Sequence, residues 1–334
     1  MEWRGIVLVT AFLVTPVVAM GFGAAQLPTL DVFRVLASHL PGSGVESPSL
    51  IAEAVIWDNR APRVVAGMAI GAVLAISGTA LQAVTRNPLA EPYVLGVSSG
   101  ASAGAAAAVV LVGVTGGLGM STTAFIGACL ATVLVLAIGG RGSQTVLHLV
   151  LAGLAAGFIF HAITNLIIFS SDDPETARSV MFWMLGSMAR CTWSSALTLT
   201  VLALVMSGSF WFIAPWLDAI ATGDTTALTV GVEPKHLRLI VTLAVSFAVA
   251  STVSAAGGIG FVGLVVPHLC RSARVSSHRR LIPVVALTGS IFLTVADALA
   301  RVMFAPAEIP IGVVTGLVGA PILLWMVHTL GRQR

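Results

Sequence analysis

The sequence has 334 residues, of which 57% are hydrophobic and only 9% are charged, and its net charge is +3. Soluble domains carry about 25% charged residues, so this composition excludes a soluble globular protein and indicates an integral membrane protein surrounded by lipid. The basic residues are scattered and form no run, which excludes nucleic acid as a partner.

The sequence contains none of the residue patterns that catalysis or metal binding would need. The three cysteines, Cys129, Cys191 and Cys270, are far apart and match neither a CxxC pair nor a zinc-ligand spacing. No HExxH motif and no cluster of carboxylates within an apolar run marks a catalytic centre. We therefore predict no catalytic residue, no metal site and no cofactor bound by this chain.

Apolar runs of roughly 20 residues divide the chain, and this length is typical of membrane-spanning helices. The fold class is therefore predicted to be all-α, with residues 1–334 forming a single transmembrane domain. About ten spans are predicted, at 5–25, 60–83, 93–113, 121–139, 146–169, 193–216, 239–256, 257–271, 281–300 and 311–330. The first is long for the core of a signal peptide, so we interpret it as a retained helix. Residues 26–59 are predicted to form a loop, because prolines and glycines within them mark turns.

Orientation follows from lysine and arginine, which are enriched on the cytoplasmic side of membrane proteins. With the amino terminus inside, 11 of the 17 basic residues lie on the inner side, so both termini are predicted to be cytoplasmic. Arg60, Arg63 and Arg301 then fall at the outer ends of predicted helices. They either snorkel to the interface or form a positive rim that captures an acidic partner. Asp297 precedes Arg301 by four residues, so these two can pair on one helix face, which would compete with docking.

The segment 257–271, GGIGFVGLVVPHLCR, is apolar almost throughout but short for a membrane span. Its four glycines allow close helix contacts, and Pro267 kinks any helix that contains it. Broken, glycine-rich helices occur at membrane depth only where protein or an aqueous cavity surrounds them. We predict that the segment is a packing pivot within the bundle, and ordinary tight helix packing is the alternative.

Three motifs carry a resemblance to a known family: RAPRVVAGMAIGAVLAISGTALQAVTRNPLAEPYVLGVSSGA at 60–101, the glycine-rich segment at 257–271, and IPIGVVTGLVGAPILLW at 309–325. Over nearly its whole length the chain resembles the FecCD family of bacterial ABC-importer permeases, whose members import ferric siderophores, haem and cobalamin. The resemblance implies a homodimer of ten-helix subunits with inverted-repeat halves and a translocation path on the two-fold axis. It also implies two ATPase subunits, a periplasmic or lipid-anchored binding protein, and residence in the cytoplasmic membrane.

ATP and Mg are expected on the partner ATPase, since this chain has no Walker A pattern and cannot bind ATP in the P-loop manner. The segment 218–238 resembles the family's cytoplasmic coupling region, two short helices that sit in a groove of the ATPase. The expected contact residues are Asp224, Ala227, Leu228, Gly231 and Val232. An ordinary solvated loop is the alternative, but a polar loop has no need of the apolar Leu228 and Val232.

The resemblance also implies residues on the transport route. In the family, arginines at the positions of Arg60, Arg63 and Arg301 pair with glutamates of the binding protein. The fifth span faces the dimer axis, and there His161 and Asn165 lie one turn apart on one helix face. The residues expected at a cytoplasmic gate are Thr145, Val146 and Leu147. The last two are apolar, which suggests a hydrophobic constriction. For His161, a hydrogen bond within the bundle is the alternative to a substrate contact.

An ion-coupled secondary transporter is the alternative of another class, because inverted repeats and broken helices also occur there. It would move its substrate on an ion gradient without an ATPase. Among chelates, ferric siderophore is the first expectation, haem the second and cobalamin the third. A permanent iron or haem site at His161 is not expected, since one histidine without carboxylate neighbours is a poor metal site.

Overall fold

The computed structural model describes residues 2–25, 27–114, 117–139, 146–272, 275 and 277–331. Within these ranges the regular structure is helical throughout and no strand occurs, which confirms the predicted all-α class. The α-helices are α1 Glu2–Gly21, α2 Thr29–Ser38, α3 Leu50–Glu53, α4 Ala61–Thr85, α5 Val97–Val112, α6 Gly117–Gly139, α7 Val146–Phe169, α8 Pro174–Met184, α9 Trp193–Phe212, α10 Ala214–Thr222, α11 Asp224–Thr229, α12 Pro234–Ala256, α13 Val262–Ser272, α14 His278–Val302 and α15 Ile311–Gly331.

Six helical stretches of the described chain are long and apolar enough to cross a membrane. They are 50–85, 117–138, 150–169, 193–212, 234–256 and 278–302. Three shorter apolar helices, at 5–21, 97–112 and 311–326, accompany them. The chain is thus a multi-pass membrane protein, whereas the count of ten spans stays a prediction, because α13 has only 11 residues.

Helix α4 forms the centre of the bundle and packs against α9, α12, α13 and α14. In the most apolar stretch of 18 residues within 50–85, 89% of residues are buried. In the corresponding stretch of α7, only 22% are buried. Small residues explain this burial, since they let backbones approach closely. A Cβ placed on Gly71 would overlap the carbonyl oxygen of Gly289, and one on Gly78 would overlap that of Gly263. Helix α4 therefore touches α14 and α13 backbone to backbone.

The prediction of a loop over 26–59 is wrong for much of that segment. Helix α2 buries Val32 and Val35, three residues apart on one face, in a small cluster that also holds Ile56. The Ser49 hydroxyl accepts a hydrogen bond from the backbone N–H of Ala52 (3.1 Å) and so caps α3. From α3 the chain continues through a π-helical stretch, Ala54–Arg60, directly into α4. The prolines and glycines mark only the turn between α2 and α3.

The predicted break in the glycine-rich segment is present, and it lies at residues 257–261, before α13. Phe261 has a left-handed φ of 69°, which is unusual for a residue other than glycine. Its backbone N–H donates to the Glu91 carboxylate (2.5 Å), and the N–H of Ile259 donates to the Tyr93 hydroxyl (3.0 Å). The non-helical backbone is thus satisfied by side chains from the connection between α4 and α5, as burial at membrane depth requires. Pro267 lies inside α13.

Hydrogen bonds near the ends of the helices identify the two ends of the bundle. At one end Arg301 bonds carbonyl groups at the end of α1, and the indole N–H of Trp193 donates to the carbonyl of Trp57 (2.9 Å). At the other end Arg238 bonds the carbonyl of Val84 (3.1 Å). Following the orientation predicted from charge, we name the first the outer end and the second the inner end.

Candidate functional site

At the outer end, Arg63 lies between two carboxylates. Its Nε and Nη2 atoms donate to Asp297 Oδ1 at 2.9 and 2.8 Å, and Nη1 donates to Glu308 at 2.8 Å. Asp297 also forms an ion pair with Arg301, whose Nε lies 3.1 Å from Oδ2, which confirms the predicted pairing of these two residues on one helix face. Asp297 is only 2% exposed, so its charge is balanced entirely by guanidinium groups.

The other guanidinium donors of this cluster bind the end of α1. Arg60 donates to the carbonyls of Met20 (2.9 Å) and Ala25 (2.5 Å), and Arg301 donates to those of Ala19 (3.0 Å) and Phe22 (2.8 Å). The last carbonyls of a helix have no partner within the helix, and the helix dipole makes this end negative. The two arginines therefore cap α1 and fasten it to α4 and α14.

The sequence predicted that the three arginines snorkel to the interface or form a positive rim for an acidic partner, and the structure buries all three side chains. Arg60, Arg63 and Arg301 are 4%, 4% and 2% exposed, because each is occupied by carboxylates or helix-end carbonyls of the same chain. Their predicted docking role stays a prediction. Glu308, with 35% of its side chain exposed, is the member of the cluster that faces outward. Spacing revealed the pair Asp297–Arg301, but no sequence signal joins Arg63 to Asp297, 234 residues away.

At the inner end, Asp224 at the start of α11 accepts two hydrogen bonds from Arg238, at 2.6 and 3.1 Å, and lies 3.4 Å from Arg86. The hydrogen bond from Arg238 lowers the pKa of the Asp224 carboxyl below its ordinary value, so the ion pair persists at neutral pH. Asp224 thus ties α11 to α12 and to the end of α4. Nearby, the carboxylate of Asp218 on α10 is hydrogen-bonded to the ring of His278 at the start of α14 (2.6 Å).

The predicted coupling residues divide into two groups. Leu228 is 54% exposed, and Gly231 is exposed beside it. Ala227 and Val232 are buried, at 0% and 8% exposure, so their side chains contact the protein interior instead of a partner. Burial explains why residue 232 is the apolar Val232. Leu228 is exposed, so burial does not explain its apolar side chain. Val230, 60% exposed, extends the exposed apolar surface and was not among the predicted residues.

The predicted path residues lie on α7, whose outward face is open over most of its length. His161 and Asn165 are both exposed on the same side of the helix, as their spacing predicts. Neither side chain makes a hydrogen bond to any residue that the structure describes. The alternative for His161 was a hydrogen bond within the bundle, and the described residues do not form one with it. Leu154 and Phe158, 53% and 68% exposed, lie beside the two polar residues and make this face mainly apolar.

The predicted gate lies at the edge of what the structure describes. Thr145 lies outside the described residues, and Val146 and Leu147 are described only as the first two residues of α7. The gate at these three positions stays a prediction. Among the residues searched, no three of His, Cys, Asp and Glu are grouped so that they could hold a metal ion.

Comparison with known proteins identifies the class of protein to which this chain belongs. The FecCD transport family model matches residues 10–329. The vitamin B12 import system permease protein BtuC of Citrobacter koseri is 39% identical over 309 residues, which cover 90% of this chain and 92% of that protein. The corresponding permease of Salmonella paratyphi A is 38% identical over 82% of this chain and 83% of that protein. A solved inward-facing structure of a metal-chelate type ABC transporter matches with a TM-score of 0.84 and 29% identity, covering 98% of this chain and 100% of that one.

The helical bundle and these similarities define the chain as a multi-pass membrane permease of the ABC-importer type, a transport component and not an enzyme. More particularly, the chain belongs to the FecCD transport family, whose model spans nearly its whole length.

Proposed function

We propose that this chain is the membrane permease of an ATP-driven importer that carries a metal chelate into a bacterial cytoplasm across the cytoplasmic membrane, with both termini inside. The observation that supports this most is the match along the whole chain, in sequence and in fold, to permeases of import systems. The sequence contains no Walker A motif, which supports a separate subunit as the one that binds ATP and Mg.

For the cargo we propose the class of metal chelates, which includes both the ferric siderophore expected from the sequence and cobalamin. The names of the similar permeases favour cobalamin, and the metal-chelate transporter with the same fold supports the wider class. Haem is the less supported member, since an exposed His161 without carboxylate neighbours does not make a haem site.

For the partners we propose a second copy of the chain, two ATPase subunits and a substrate-binding protein. The open apolar face of α7 supports a second copy, because an exposed face with His161 and Asn165 can line a path between two subunits. The exposed Leu228 and Val230 at the inner end support an ATPase contact, since a partner subunit could cover these two apolar side chains. Asp224 would then hold α11 in place for this contact through Arg238.

For the binding protein, docking at the outer end would involve Arg60, Arg63 and Arg301 as part of the charged cluster. Because Asp297 is buried between Arg63 and Arg301, an incoming carboxylate would exchange with Glu308, the more exposed partner of Arg63. Glu308 therefore belongs to the proposed docking surface together with the arginines.

The test is uptake by proteoliposomes that hold the permease with its ATPase, supplied with the binding protein and with radiolabelled ferric siderophore, cobalamin or haem. We expect uptake of one metal chelate that depends on ATP and on the binding protein. A Walker A lysine substitution in the ATPase is the control and abolishes uptake. Uptake that follows an imposed ion gradient without ATP would instead support the secondary-transporter alternative.

A further inference from the structure

A crevice opens at the outer end of the bundle, on the side formed by α6, α8, α9 and α12. Its volume is about 930 Å³, within the range of about 300–1,000 Å³ that small-ligand pockets show. It is distinct from the α7 face, the charged cluster and the inner surface described above. Nothing in the proposed transport function accounts for it.

The floor of the crevice is apolar and lies at one depth on three helices. Phe125 is eight residues from the start of α6, Leu202 is nine residues from the start of α9, and Phe247 is nine residues before the end of α12. At 1.5 Å per residue, all three lie about 12–14 Å below the outer helix ends. The rings of Phe125 and Phe247 meet edge to face, with centroids 5.6 Å apart. The floor thus reaches into the depth range of acyl chains.

The mouth of the crevice carries positive charge. Arg178 on α8 and Arg190, in the connection to α9, line it, and Glu175 is the one acidic residue among the lining residues that the structure describes. Arg178 lies 3.7 Å from Glu175, but both side chains are about four-fifths exposed, at 79% and 81%, so this pair is weak. A guanidinium group prefers phosphate and carboxylate oxygens and can bind them through two parallel hydrogen bonds. The mouth is therefore suited to an anionic group.

The walls between mouth and floor carry serine and threonine hydroxyls, but several of these already donate to the backbone. Thr198 donates to the carbonyl of Ser194 (2.9 Å), Ser251 to that of Phe247 (2.9 Å) and Ser254 to that of Ser251 (2.9 Å). These donors are used within their own helices, so these walls do not present the dense set of free donors that a highly polar solute needs. From the outer end inward, the crevice therefore changes from a mouth suited to an anion to an apolar floor.

We propose that this crevice binds one anionic phospholipid of the outer leaflet, with its phosphate at Arg178 and Arg190 and an acyl chain reaching the Phe125–Phe247 floor. The charge of the mouth, the depth of the floor and the position at the outer helix ends all match a molecule with an anionic head and an apolar tail. Basic pockets between membrane helices bind lipid headgroups on the cytoplasmic side of membranes, and the same pairing of guanidinium with phosphate can operate at the outer end.

The experiment is native mass spectrometry of the purified, delipidated permease with added phosphatidylglycerol or phosphatidylcholine of identical chains. We expect one phosphatidylglycerol to be retained and phosphatidylcholine to bind more weakly. R178Q and R178Q/R190Q should weaken phosphatidylglycerol binding roughly fivefold per arginine removed. R34Q is the matched control, since Arg34 is an exposed arginine on α2 outside the crevice, and it should have no effect.

A second variant tests the location without changing charge. Ser121 lines the crevice, so S121F should fill it and reduce the retention of both lipids. Equal phosphatidylglycerol binding by the wild type, R178Q/R190Q and S121F would overturn the proposal. Displacement of phosphatidylglycerol by the transported chelate would also overturn it, because the crevice would then be a cargo site.

Discussion

Asp297 is the residue on which the outer charged cluster depends, since it neutralises Arg63 and Arg301 inside the protein. Removal of one member of a buried ion pair leaves an uncompensated charge and typically costs about 3–5 kcal/mol. We expect D297N to be destabilised by about 3 kcal/mol and to unfold at a clearly lower temperature. Thermal unfolding in detergent, followed by circular dichroism, measures this change.

E308Q is the matched control for that substitution. Glu308 contacts the same Arg63 but is one-third exposed, so water replaces part of the lost interaction and the effect should be under about 1 kcal/mol. If D297N and E308Q lower the unfolding temperature equally, the buried position of Asp297 is not what makes the cluster stable.

The same cluster shows what residue-level reasoning from sequence could and could not find. The spacing of Asp297 and Arg301 predicted their pairing, because residues four apart share a helix face. The contact of Arg63 with Asp297 joins α4 to α14 and is set by helix packing, which no local pattern encodes. The position of Arg63 at a helix end therefore predicted an exposed side chain, although its partners belong to the same chain.

At the level of elements, the close contact of α4 with α13 gives a direct prediction. G78A would place a methyl group against the carbonyl of Gly263, and backbone atoms can yield only if one helix shifts. Overpacking of this kind costs about 1–3 kcal/mol, so we expect G78A to unfold at a lower temperature and to transport less. Thermal unfolding and uptake in proteoliposomes measure the two effects.

G208A is the control, because Gly208 is exposed on α9 and a Cβ there has nothing within 4 Å. Alanine is favoured over glycine in a helix interior by about 1 kcal/mol, so G208A should be neutral or slightly more stable. Stability of G78A equal to that of G208A would show that α4 and α13 can separate without cost.

The sequence predicted long apolar elements well and short ones poorly. The predicted fifth span, 146–169, coincides with α7, because a continuous apolar run of this length satisfies its own backbone hydrogen bonds in lipid by forming a helix. Helix α2 was missed because its ten residues are stabilised by packing of Val32 and Val35 and not by length or apolar character. The break before α13 was predicted from its glycines, but its partners Glu91 and Tyr93 come from a distant connection.

For the whole molecule, the exposed apolar residues at the inner end make assembly with the ATPase testable. We expect L228D to reduce co-purification of the ATPase at least about tenfold, because loss of a central apolar contact costs more than about 1.4 kcal/mol. The unfolding temperature should change little, since Leu228 is 54% exposed and lies outside the buried core.

L40D is the matched control, because Leu40 is also an exposed leucine, 62% exposed, but lies in the outer segment. It should leave the ATPase complex intact. Normal co-purification of L228D would place the ATPase contact elsewhere on the inner surface. Sequence similarity predicted a coupling region of two short helices in this segment, but only the packing shows that Ala227 and Val232 face inward.

The capping of α1 has a consequence for biosynthesis. Arg60 can reach the end of α1 as soon as the second hydrophobic stretch enters the membrane, since only 40 residues separate it from Met20. Arg301 contacts Phe22 across 279 residues of chain, so it arrives only when α14 has been inserted. Until then the carbonyl groups at the end of α1 have one guanidinium in place of two. Helix α1 thus reaches its final contacts only after α14, far along the chain, has been inserted.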